Sequence, residues 1–477
     1  MEQTEPGLET LHCEASLEFL NRRIDYERNA VIPYRSRTFK LDRMRELLAR
    51  LGNPHHAVKV VHVAGTKGKG STSAMISSVL QAAGYHVGLY TSPHLERLEE
   101  RFCIAGKPCS SEELVELVAL VQPVVLSMDQ EATGSSEAPS GPTYFEVTTA
   151  MAFLYFCRRK VDLAVVEVGL GGRLDSTNIC LPLVSIITSI SFDHMKQLGS
   201  TLQQIATEKA GIIKPGVPVV SGVRTAEPRR AIHTVASQCD CRLIELGSEF
   251  DTIRTADQQN LLHGTIDMPN CMDYRQSPDI YLRNLQVNLV GKHQLENAAV
   301  AIATLLELRQ SGWNIDEQSI RSGLAHVQWP ARAEIFPGRP RVVLDTAHNV
   351  ASMAALRDVL ENISVTGRRW LLFAASSDKD IQGMLACVLS SFDELMFTSF
   401  GDNLRTTPPE LLAAAAEKQL ALQGADGPSP RLNVMSNCQG AWQRIIEQAG
   451  RNDLICVTGS FFIAAELRRH VLEFTDK

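Results

Sequence analysis

Short apolar runs alternate with longer segments of helical periodicity along most of the chain, and this alternation predicts an α/β fold. In the first half, runs rich in Val and Ile occupy residues 60–64, 87–91, 163–168, 184–190 and 218–221. Segments with helical periodicity separate these runs, at residues 70–83, 111–121, 144–159 and 201–213. Continuous apolar strands that alternate with helices are typical of a parallel sheet covered on both faces.

The same rhythm restarts at about residue 340 and predicts a second, smaller α/β unit. Its apolar runs are RVVLD, WLLFAAS, ELMFTS, RLNVMS and DLICVTGS, and a helical segment follows each one. We place the boundary near Trp329 and Pro330, after a helical stretch at 293–326, which divides the chain into domains 1–328 and 329–477. Three segments lack regular periodicity and are interpreted as two surface loops and one irregular insertion: residues 130–142, 423–430 and 249–279.

Composition narrows the class of protein. The chain has 477 residues, of which 44% are hydrophobic, and a formal net charge of -7. These values exclude a disordered chain and argue against a protein that coats nucleic acid. The 11 cysteines are scattered, as expected of reduced cytoplasmic thiols rather than disulfides. The acidic start does not resemble a signal peptide, and no apolar stretch reaches the roughly 18 residues of a membrane span. We therefore expect a cytoplasmic protein without nucleic-acid or membrane partners.

The strongest local signal is a glycine-rich loop, GTKGKGST at residues 65–72, which follows an apolar strand and precedes a helix of small residues. Glycines such as Gly68 and Gly70 let backbone N–H groups approach a polyphosphate, and Lys69 and Ser71 can contact its oxygens. The pattern departs from the usual phosphate loop, because a valine holds the first glycine position and a glycine separates the lysine from the hydroxyls. An ordinary glycine-rich turn is the alternative interpretation.

Polar side chains follow the carboxyl ends of the predicted strands, where parallel sheets place their sites. Ser92 follows the second strand, and Glu167 ends the third. A lone carboxylate there needs a partner, which could be magnesium, or a salt bridge to Arg173 or a lysine. His194, after the fourth strand, is an unusual magnesium ligand. Lys209 lies in a predicted helix, where a lysine is ordinarily a solvated surface charge.

Ten motifs in one order resemble folylpolyglutamate synthase and the bifunctional dihydrofolate synthases of the Mur ligase superfamily. The resemblance runs from about residue 18 to the end of the chain. The motifs that carry it are, in order, GTKGKGST, YTSPHL, TYFEVTTA, EVGLGGRLDSTN, SFDHMKQLG, EKAGIIKPG, ENAAVA, WPARAEI, LDTAHN and TGSFF. The resemblance implies a large P-loop-type parallel-sheet ATPase domain over residues 1–328. It implies a smaller Rossmann-like glutamate-ligase domain over residues 329–477.

The resemblance also implies a reaction and its partners. ATP transfers its γ-phosphate to a carboxylate, and the amino group of L-glutamate then attacks the acyl phosphate. The carboxylate belongs to dihydropteroate, to a reduced folate, or to both in turn. Magnesium, as two ions, is the implied cofactor, ATP is a co-substrate, and the protein is expected to be a monomer.

The resemblance assigns roles to individual residues. The residues implied to bind ATP are Gly68, Lys69, Gly70, Ser71, Asn297, Arg332 and Asp345. The implied metal ligands are Ser92, Glu167, His194 and a carbamylated Lys209. The residues implied to bind the pteroate end are Thr143, Tyr144, Phe145, Glu146, Leu174, Asp175 and Ser176. The implied catalytic residues are Lys69, Lys209 and His348. A helix cap and an ordinary turn remain the alternatives for the two pteroate segments.

The sequence departs from the family pattern at two places, and three alternative functions stay open. Lys67 stands where the family usually has Asn, which adds a charge beside the phosphates and is expected to alter nucleotide affinity without abolishing binding. Residues 249–279 match the family poorly and carry no inference. The alternatives are another Mur-type ATP-dependent amino-acid ligase, a nucleotide-binding protein without ligase activity, and a nucleic-acid ATPase, which the composition disfavours.

Overall fold

The chain folds into two compact units. The computed structural model describes residues 8–24, 41–133, 141–253, 270–401, 405–423 and 429–475. The first unit consists of Met1–Thr252, Tyr274–Tyr281 and Glu296–His326. The second unit consists of Ile253–Asp273, Leu282–Leu295 and Val327–Lys477.

An eight-stranded sheet organises the first unit. Its strands are β1 (Val60–Ala64), β2 (Val87–Tyr90), β3 (Phe102–Ile104), β4 (Lys107–Pro108), β5 (Leu163–Glu167), β6 (Pro182–Ile187), β7 (Val219–Ser221) and β8 (Leu243–Glu245). The order is β4-β3-β2-β5-β1-β6-β7-β8. The six strands from β2 to β8 in this order are parallel, and β3 and β4 form an antiparallel edge.

Helices connect these strands and cover the sheet. Those of the first half are α1 (Leu8–Asn21), α2 (Leu41–Arg50), α3 (Lys69–Ala82), α4 (Ser111–Thr133), α5 (Tyr144–Arg158), α6 (Met195–Leu198), α7 (Leu202–Ala210) and α8 (Ala226–Gln238). Every residue of β1, β2 and β5 is buried, as expected of central parallel strands with helices on both faces. The carboxyl ends of these central strands therefore lie side by side at one edge.

Three strands follow the large sheet in sequence and form a sheet of their own. They are β9 (Phe250–Ile253), β10 (Asn270–Gln276) and β11 (Ile280–Val287), in the order β11-β10-β9. Two helices come next, α9 (Lys292–Gln310) and α10 (Glu317–His326).

A six-stranded sheet organises the C-terminal part of the second unit. Its strands are β12 (Glu334–Phe336), β13 (Arg341–Leu344), β14 (Arg369–Phe373), β15 (Glu394–Phe397), β16 (Arg431–Val434) and β17 (Leu454–Thr458). The order is β12-β13-β17-β14-β15-β16, and only β12 runs antiparallel to its neighbour. Its helices are α11 (Val350–Glu361), α12 (Ile381–Val388), α13 (Pro409–Gln423), α14 (Cys438–Gln448) and α15 (Phe461–Thr475).

The structure confirms the predicted fold class, a large parallel-dominated sheet and a smaller C-terminal α/β part. All ten predicted apolar runs contain a strand. The prediction of an irregular insertion at 249–279 is wrong where the structure describes it, because β9 and β10 lie there; residues 254–269 fall outside the described residues. The first predicted loop is also partly wrong, since α4 continues to Thr133. The central residues of both predicted loops, 134–140 and 424–428, lie outside the described part of the chain.

A single boundary between residues 328 and 329 does not describe the two compact units. The second unit also includes two segments that come earlier in the chain. The assignment of one domain to residues 1–328 and another to 329–477 stays a prediction. None of the helices in the described ranges is long and apolar enough to cross a membrane.

Asp453 joins the starts of the two central strands of the C-terminal sheet. Its carboxylate is buried and accepts hydrogen bonds from the indole N–H of Trp370 at 2.9 Å and from the backbone N–H of Arg368 at 2.8 Å. The backbone N–H of Gly450 donates a third, at 2.9 Å. Three donors thus depend on a single side chain.

Replacing this carboxylate is expected to destabilise the protein. Asp453→Ala leaves buried donors without acceptors and should lower the free energy of unfolding by about 3 kcal/mol. Urea denaturation of the full chain, followed by circular dichroism, measures the change. Asp358→Ala, which removes an exposed carboxylate paired with Arg357, is the matched control and should cost less than about 0.5 kcal/mol. Equal effects of the two substitutions would contradict the proposed role of Asp453.

Candidate functional site

The glycine-rich loop connects the central strand β1 to α3, and the segment that follows β6 braces it. The backbone N–H of Thr66 donates to the carbonyl of Ser189 at 2.7 Å, and that of Lys67 donates to Ser189 Oγ at 3.0 Å. The Thr188 hydroxyl donates to the Lys67 carbonyl at 2.6 Å. These bonds hold the loop at the carboxyl edge of the sheet, where a helix N-terminus attracts anions.

Gly68 is the residue at which the loop turns into the helix. Its φ of +83° lies in the left-handed region, which favours glycine. A Cβ added there would lie 2.2 Å from Oδ1 of Asn297 on α9. The predicted ATP-binding residues Gly68 and Asn297 are therefore neighbours, and Gly70 and Ser71 lie buried in the first turn of α3.

Lys69 and Glu167 form a largely buried ion pair beside this loop. Lys69 Nζ lies 3.7 Å from Glu167 Oε1, and the exposed fractions of the two side chains are 18% and 6%. The backbone N–H of Ser92 donates to Glu167 Oε2 at 3.4 Å. The salt bridge that the sequence left open for Glu167 is thus made with Lys69, while Arg173 pairs with Glu208.

Lys209 lies under the loop and is not the solvated surface charge that its helical position alone would favour. Only 5% of the residue is exposed, and its Nζ donates to the carbonyl of Gly65 at 3.0 Å. No ion pair among the described residues involves Lys209. Burial lowers its pKa from 10.5 to about 7, and the positive charges of Lys69 and Lys67 act in the same direction. A neutral amine is therefore populated near pH 7.

Lys67, the departure from the usual family pattern, is bound to the segment that carries His194. Its Nζ lies 2.8 Å from Asp193 Oδ2. The backbone N–H of His194 donates to the other oxygen of Asp193 at 3.0 Å, and the histidine ring is half exposed, with a φ of +48°. The ammonium that Lys67 adds is thus neutralised in part by an adjacent carboxylate.

The predicted metal ligands share one feature, a position at the carboxyl edge of the large sheet. Ser92 and Glu167 are joined by a hydrogen bond, Lys209 contacts the loop, and His194 is linked to the loop through Asp193 and Lys67. No group of three His, Cys, Asp or Glu side chains in the described ranges is arranged to hold a metal. The predicted set contains only two residues of those types. Its carboxylate and hydroxyl oxygens suit a hard divalent cation.

The first predicted pteroate segment begins α5, and much of its polar chemistry is used internally. Thr143 caps the helix, and Glu146 completes a capping box by accepting from the backbone N–H of Thr143 at 2.8 Å. The Glu146 carboxylate also accepts from Arg43 Nε at 2.8 Å, and both side chains are at least nine-tenths buried. The alternative interpretation as a helix cap is therefore confirmed for Thr143 and Glu146, whereas the aromatic residues Tyr144 and Phe145 take no part in the cap.

The first predicted pteroate segment contacts the turn that leads from β5 to the second one. A Cβ added to Gly169, just beyond β5, would lie 2.5 Å from the ring of Phe145. Asp175 shapes the turn after Gly169, since its oxygens accept from the backbone N–H groups of Leu170 and Thr177, both at 2.9 Å. Burial raises the pKa of Asp175. Leu174 and Ser176, which flank Asp175, are half-buried.

In the second unit, Arg332 is held between two alanines with left-handed backbones. The φ angles of Ala331 and Ala333 are +54° and +48°, which is strained for non-glycine residues. Asp345 supports this conformation: its Oδ2 accepts from the backbone N–H of Ala333 at 2.7 Å, and its Oδ1 accepts from that of Ala347 at 2.6 Å. Burial raises the pKa of Asp345, and the charge of Arg332 opposes this effect.

His348 is oriented by its own turn. Its Nδ1 lies 2.9 Å from the carbonyl of Thr346. Because a carbonyl only accepts, the proton is on Nδ1, and in the neutral ring the lone pair is on Nε2. The ring of Phe461 packs against both His348 and the guanidinium of Arg332.

Three contacts around the site were missed by the sequence interpretation. Arg43 pairs with Glu146 across 103 residues of sequence, and Lys67 pairs with Asp193 across 126. The motif containing Phe461 was recognised, but no role was assigned to the residue. A signal did exist for Arg43, since a glutamate on an otherwise apolar helix requires a buried cation as a partner.

Comparisons with known proteins identify relatives over most of the chain. Residues 63–305 match the family model of the Mur ligase middle domain, and residues 331–461 match that of the Mur ligase, glutamate ligase domain. A dihydrofolate synthase/folylpolyglutamate synthase of Bacillus subtilis (strain 168) is 35% identical over 433 residues. The match covers 90% of this chain and 94% of the relative.

Solved structures are similar over almost the whole chain. A Mycobacterium tuberculosis folylpolyglutamate synthase complexed with ADP has a TM-score of 0.83 at 30% identity, covering 97% of this chain and 98% of that chain. A bifunctional folylpolyglutamate synthase/dihydrofolate synthase with Mn, AMPPNP and L-glutamate bound has a TM-score of 0.76 at 29% identity. It covers 96% of this chain and 98% of that one. The chain therefore belongs to the folylpolyglutamate synthase/dihydrofolate synthase family of the Mur ligases.

Proposed function

We propose that this ligase uses ATP to join L-glutamate to the carboxylate of dihydropteroate, of a reduced folate, or of both, through an acyl phosphate. One observation carries the proposal. The phosphate loop between β1 and α3 lies beside the buried Lys69–Glu167 pair and the buried Lys209, at the carboxyl edge of a parallel sheet. Parallel α/β folds place their ligands at this edge.

Phosphoryl transfer requires positioning and charge neutralisation more than covalent chemistry from the protein. Lys69 and the N-terminus of α3 are suited to the phosphates of ATP, together with Gly68, Gly70 and Ser71. Asn297, which abuts Gly68, is suited to the same nucleotide. Arg332 and Asp345 in the second unit complete the set that we assign to ATP. The oxygen of the acceptor carboxylate attacks the γ-phosphorus, the bond from phosphorus to the bridging oxygen breaks, and ADP leaves.

A divalent metal accompanies ATP in this proposal. Glu167 supplies the buried carboxylate, and Ser92, His194 and a modified Lys209 supply the other protein ligands of two magnesium ions. When bound, the metal neutralises charge on the phosphates. Lys69, whose contact with Glu167 is 3.7 Å long in this structure, would then be available to contact a phosphate oxygen while Glu167 holds the metal.

Lys209 is suited to carbamylation. Its neutral amine attacks the carbon of CO₂, a nitrogen–carbon bond forms as one carbon–oxygen π bond opens, and the nitrogen then loses one proton to solvent. The product is an anionic carbamate, which can act as a carboxylate-like ligand. Burial of Lys209 and its lowered pKa support this step, because the protonated amine has no lone pair with which to attack.

His348 is suited to accept a proton from the incoming amine. With Nδ1–H bound to the carbonyl of Thr346, Nε2 can take the proton that the glutamate amine loses as it attacks the acyl carbon. Carbon–nitrogen bond formation then expels inorganic phosphate. We assign the pteroate end to the two segments 143–146 and 174–176, and we propose a monomeric, cytoplasmic enzyme.

The proposed reaction is tested by its acceptors. Purified protein with ATP, magnesium and L-glutamate should release phosphate when dihydropteroate or tetrahydrofolate is added separately. Mass spectrometry should show the acceptor heavier by one glutamate residue. Turnover with neither acceptor, but with another carboxylate and amino acid, would instead favour a different Mur-type ligase. Nucleotide binding without any turnover would favour a binding protein.

Removal of the buried carboxylate tests the assigned role of Glu167. Glu167→Ala should lower kcat by about 100-fold or more, because charge stabilisation at the phosphates is lost. Circular dichroism should show an intact fold. Glu112→Gln, at an exposed position on α4, is the control and should retain full activity. Unchanged turnover of the Glu167 variant would refute the metal assignment.

Chemical rescue tests the carbamate. Lys209→Ala should be inactive in buffer, and short carboxylates such as acetate or propionate should restore part of its activity by entering the space of the carbamate. The same salts should not restore Glu167→Ala beyond their effect on the unmodified protein. An active Lys209→Ala variant, or an inactive one without rescue, would contradict the carbamate assignment.

A further inference from the structure

The TGSFF motif ends β17 and begins α15, and its first aromatic residue, Phe461, contacts two predicted site residues. The ring centroid of Phe461 lies 5.0 Å from Cζ of Arg332 and 5.6 Å from the ring centroid of His348. Building on the proposed function, we propose that Phe461 is a positioning residue that holds these two side chains for the reaction.

The ring constrains Arg332 at its guanidinium, beyond the reach of the backbone contacts. The strained alanines and Asp345 fix where the side chain begins, but several rotatable bonds separate Cα from the cation. The negative face of an aromatic ring attracts a guanidinium at this distance. The contact restricts the side-chain rotamers of Arg332 and removes none of its N–H donors, so the group stays competent to bind phosphate oxygens.

His348 receives the second constraint from the same ring. The hydrogen bond to Thr346 fixes one edge of the imidazole, and the Phe461 ring packs against it at an interplanar angle of 51°. Both contacts constrain the ring and hence the direction in which Nε2 points. A single aromatic side chain thus contacts both a predicted ATP-binding cation and a predicted proton acceptor.

The position of Phe461 is itself well determined. Gly459, two residues earlier, has a φ of +109°, and a Cβ there would lie 2.5 Å from the carbonyl of Ala374. Ser460 is buried, and its Oγ accepts from the backbone N–H of Phe462 at 3.1 Å. The turn that presents Phe461 is therefore held by packing and by a hydrogen bond.

The next residue provides a matched control. Phe462 is also half-buried in the first turn of α15, but its ring stacks on Phe400, with a centroid distance of 5.0 Å and an interplanar angle of 21°. Substituting Phe462 therefore removes an aromatic contact of the same size from the same helix without touching Arg332 or His348 directly.

The test compares Phe461→Leu with Phe462→Leu in full-length protein, with whichever acceptor supports wild-type turnover. Loss of the contact to the cation should raise KM for ATP about tenfold in Phe461→Leu, and kcat should fall because His348 is less well oriented. Phe462→Leu should keep both constants within about twofold. Phe461→Tyr, which retains the aromatic face, should restore the wild-type constants.

A double-mutant cycle separates positioning from general stability. In an Arg332→Gln background, Phe461→Leu should leave KM for ATP almost unchanged, since the cation that it positions is absent. Equal effects of the two phenylalanine substitutions, or a full effect of Phe461→Leu in the Arg332→Gln background, would overturn the inference. If Phe461→Leu does not fold, Phe461→Met takes its place, because it keeps apolar volume without an aromatic face. Lack of ligase activity in the wild-type protein would instead refute the proposed function.

Discussion

The site depends on the electrostatics of a few ionisable groups buried around one loop. Lys69 and Glu167 form a pair, whereas Lys209 has a carbonyl as its hydrogen-bond partner. Burying an isolated charge is costly, and the lowered pKa of Lys209 is the physical consequence. The carboxyl ends of β1, β2 and β5 place these groups together, so the order of the strands decides which charges interact.

Carboxylates around the loop offset the positive charges of three nearby lysines. Lys67, Lys69 and Lys209 all lie near the first turn of α3, whose N-terminus adds further positive potential. Two carboxylates offset them, Glu167 on one side and Asp193 on the other. Binding of a nucleotide polyphosphate would add negative charge at the same place. The positive charge is therefore concentrated locally in a chain whose net charge is -7, which explains why overall composition is uninformative about such a ligand.

The sequence was sufficient to predict most strands of the two parallel sheets, but not the other strands and not all of the side-chain partners. Apolar runs identified five of the six parallel strands of the large sheet and all five of the C-terminal sheet, since central strands are buried on both faces. The edge strand β8 was missed. The strands at 250–253 and 270–276 were missed because their burial is uneven along the chain. The role of Glu146 could not be read from its motif alone, because Arg43 is brought to it only by packing of α2 against α5. Local periodicity carries no information about contacts over such separations.

The carboxylates of the two predicted pteroate segments already make hydrogen bonds within the protein. Both oxygens of Asp175 are used within its own turn, and both oxygens of Glu146 accept hydrogen bonds from Arg43. A ligand held directly by these carboxylates would compete with the donors that they already serve. They are therefore better suited to shaping the surface than to contacting the acceptor. If these segments bind the acceptor as proposed, we expect the contacts to come from apolar and aromatic groups, above all from Phe145, which packs against Gly169.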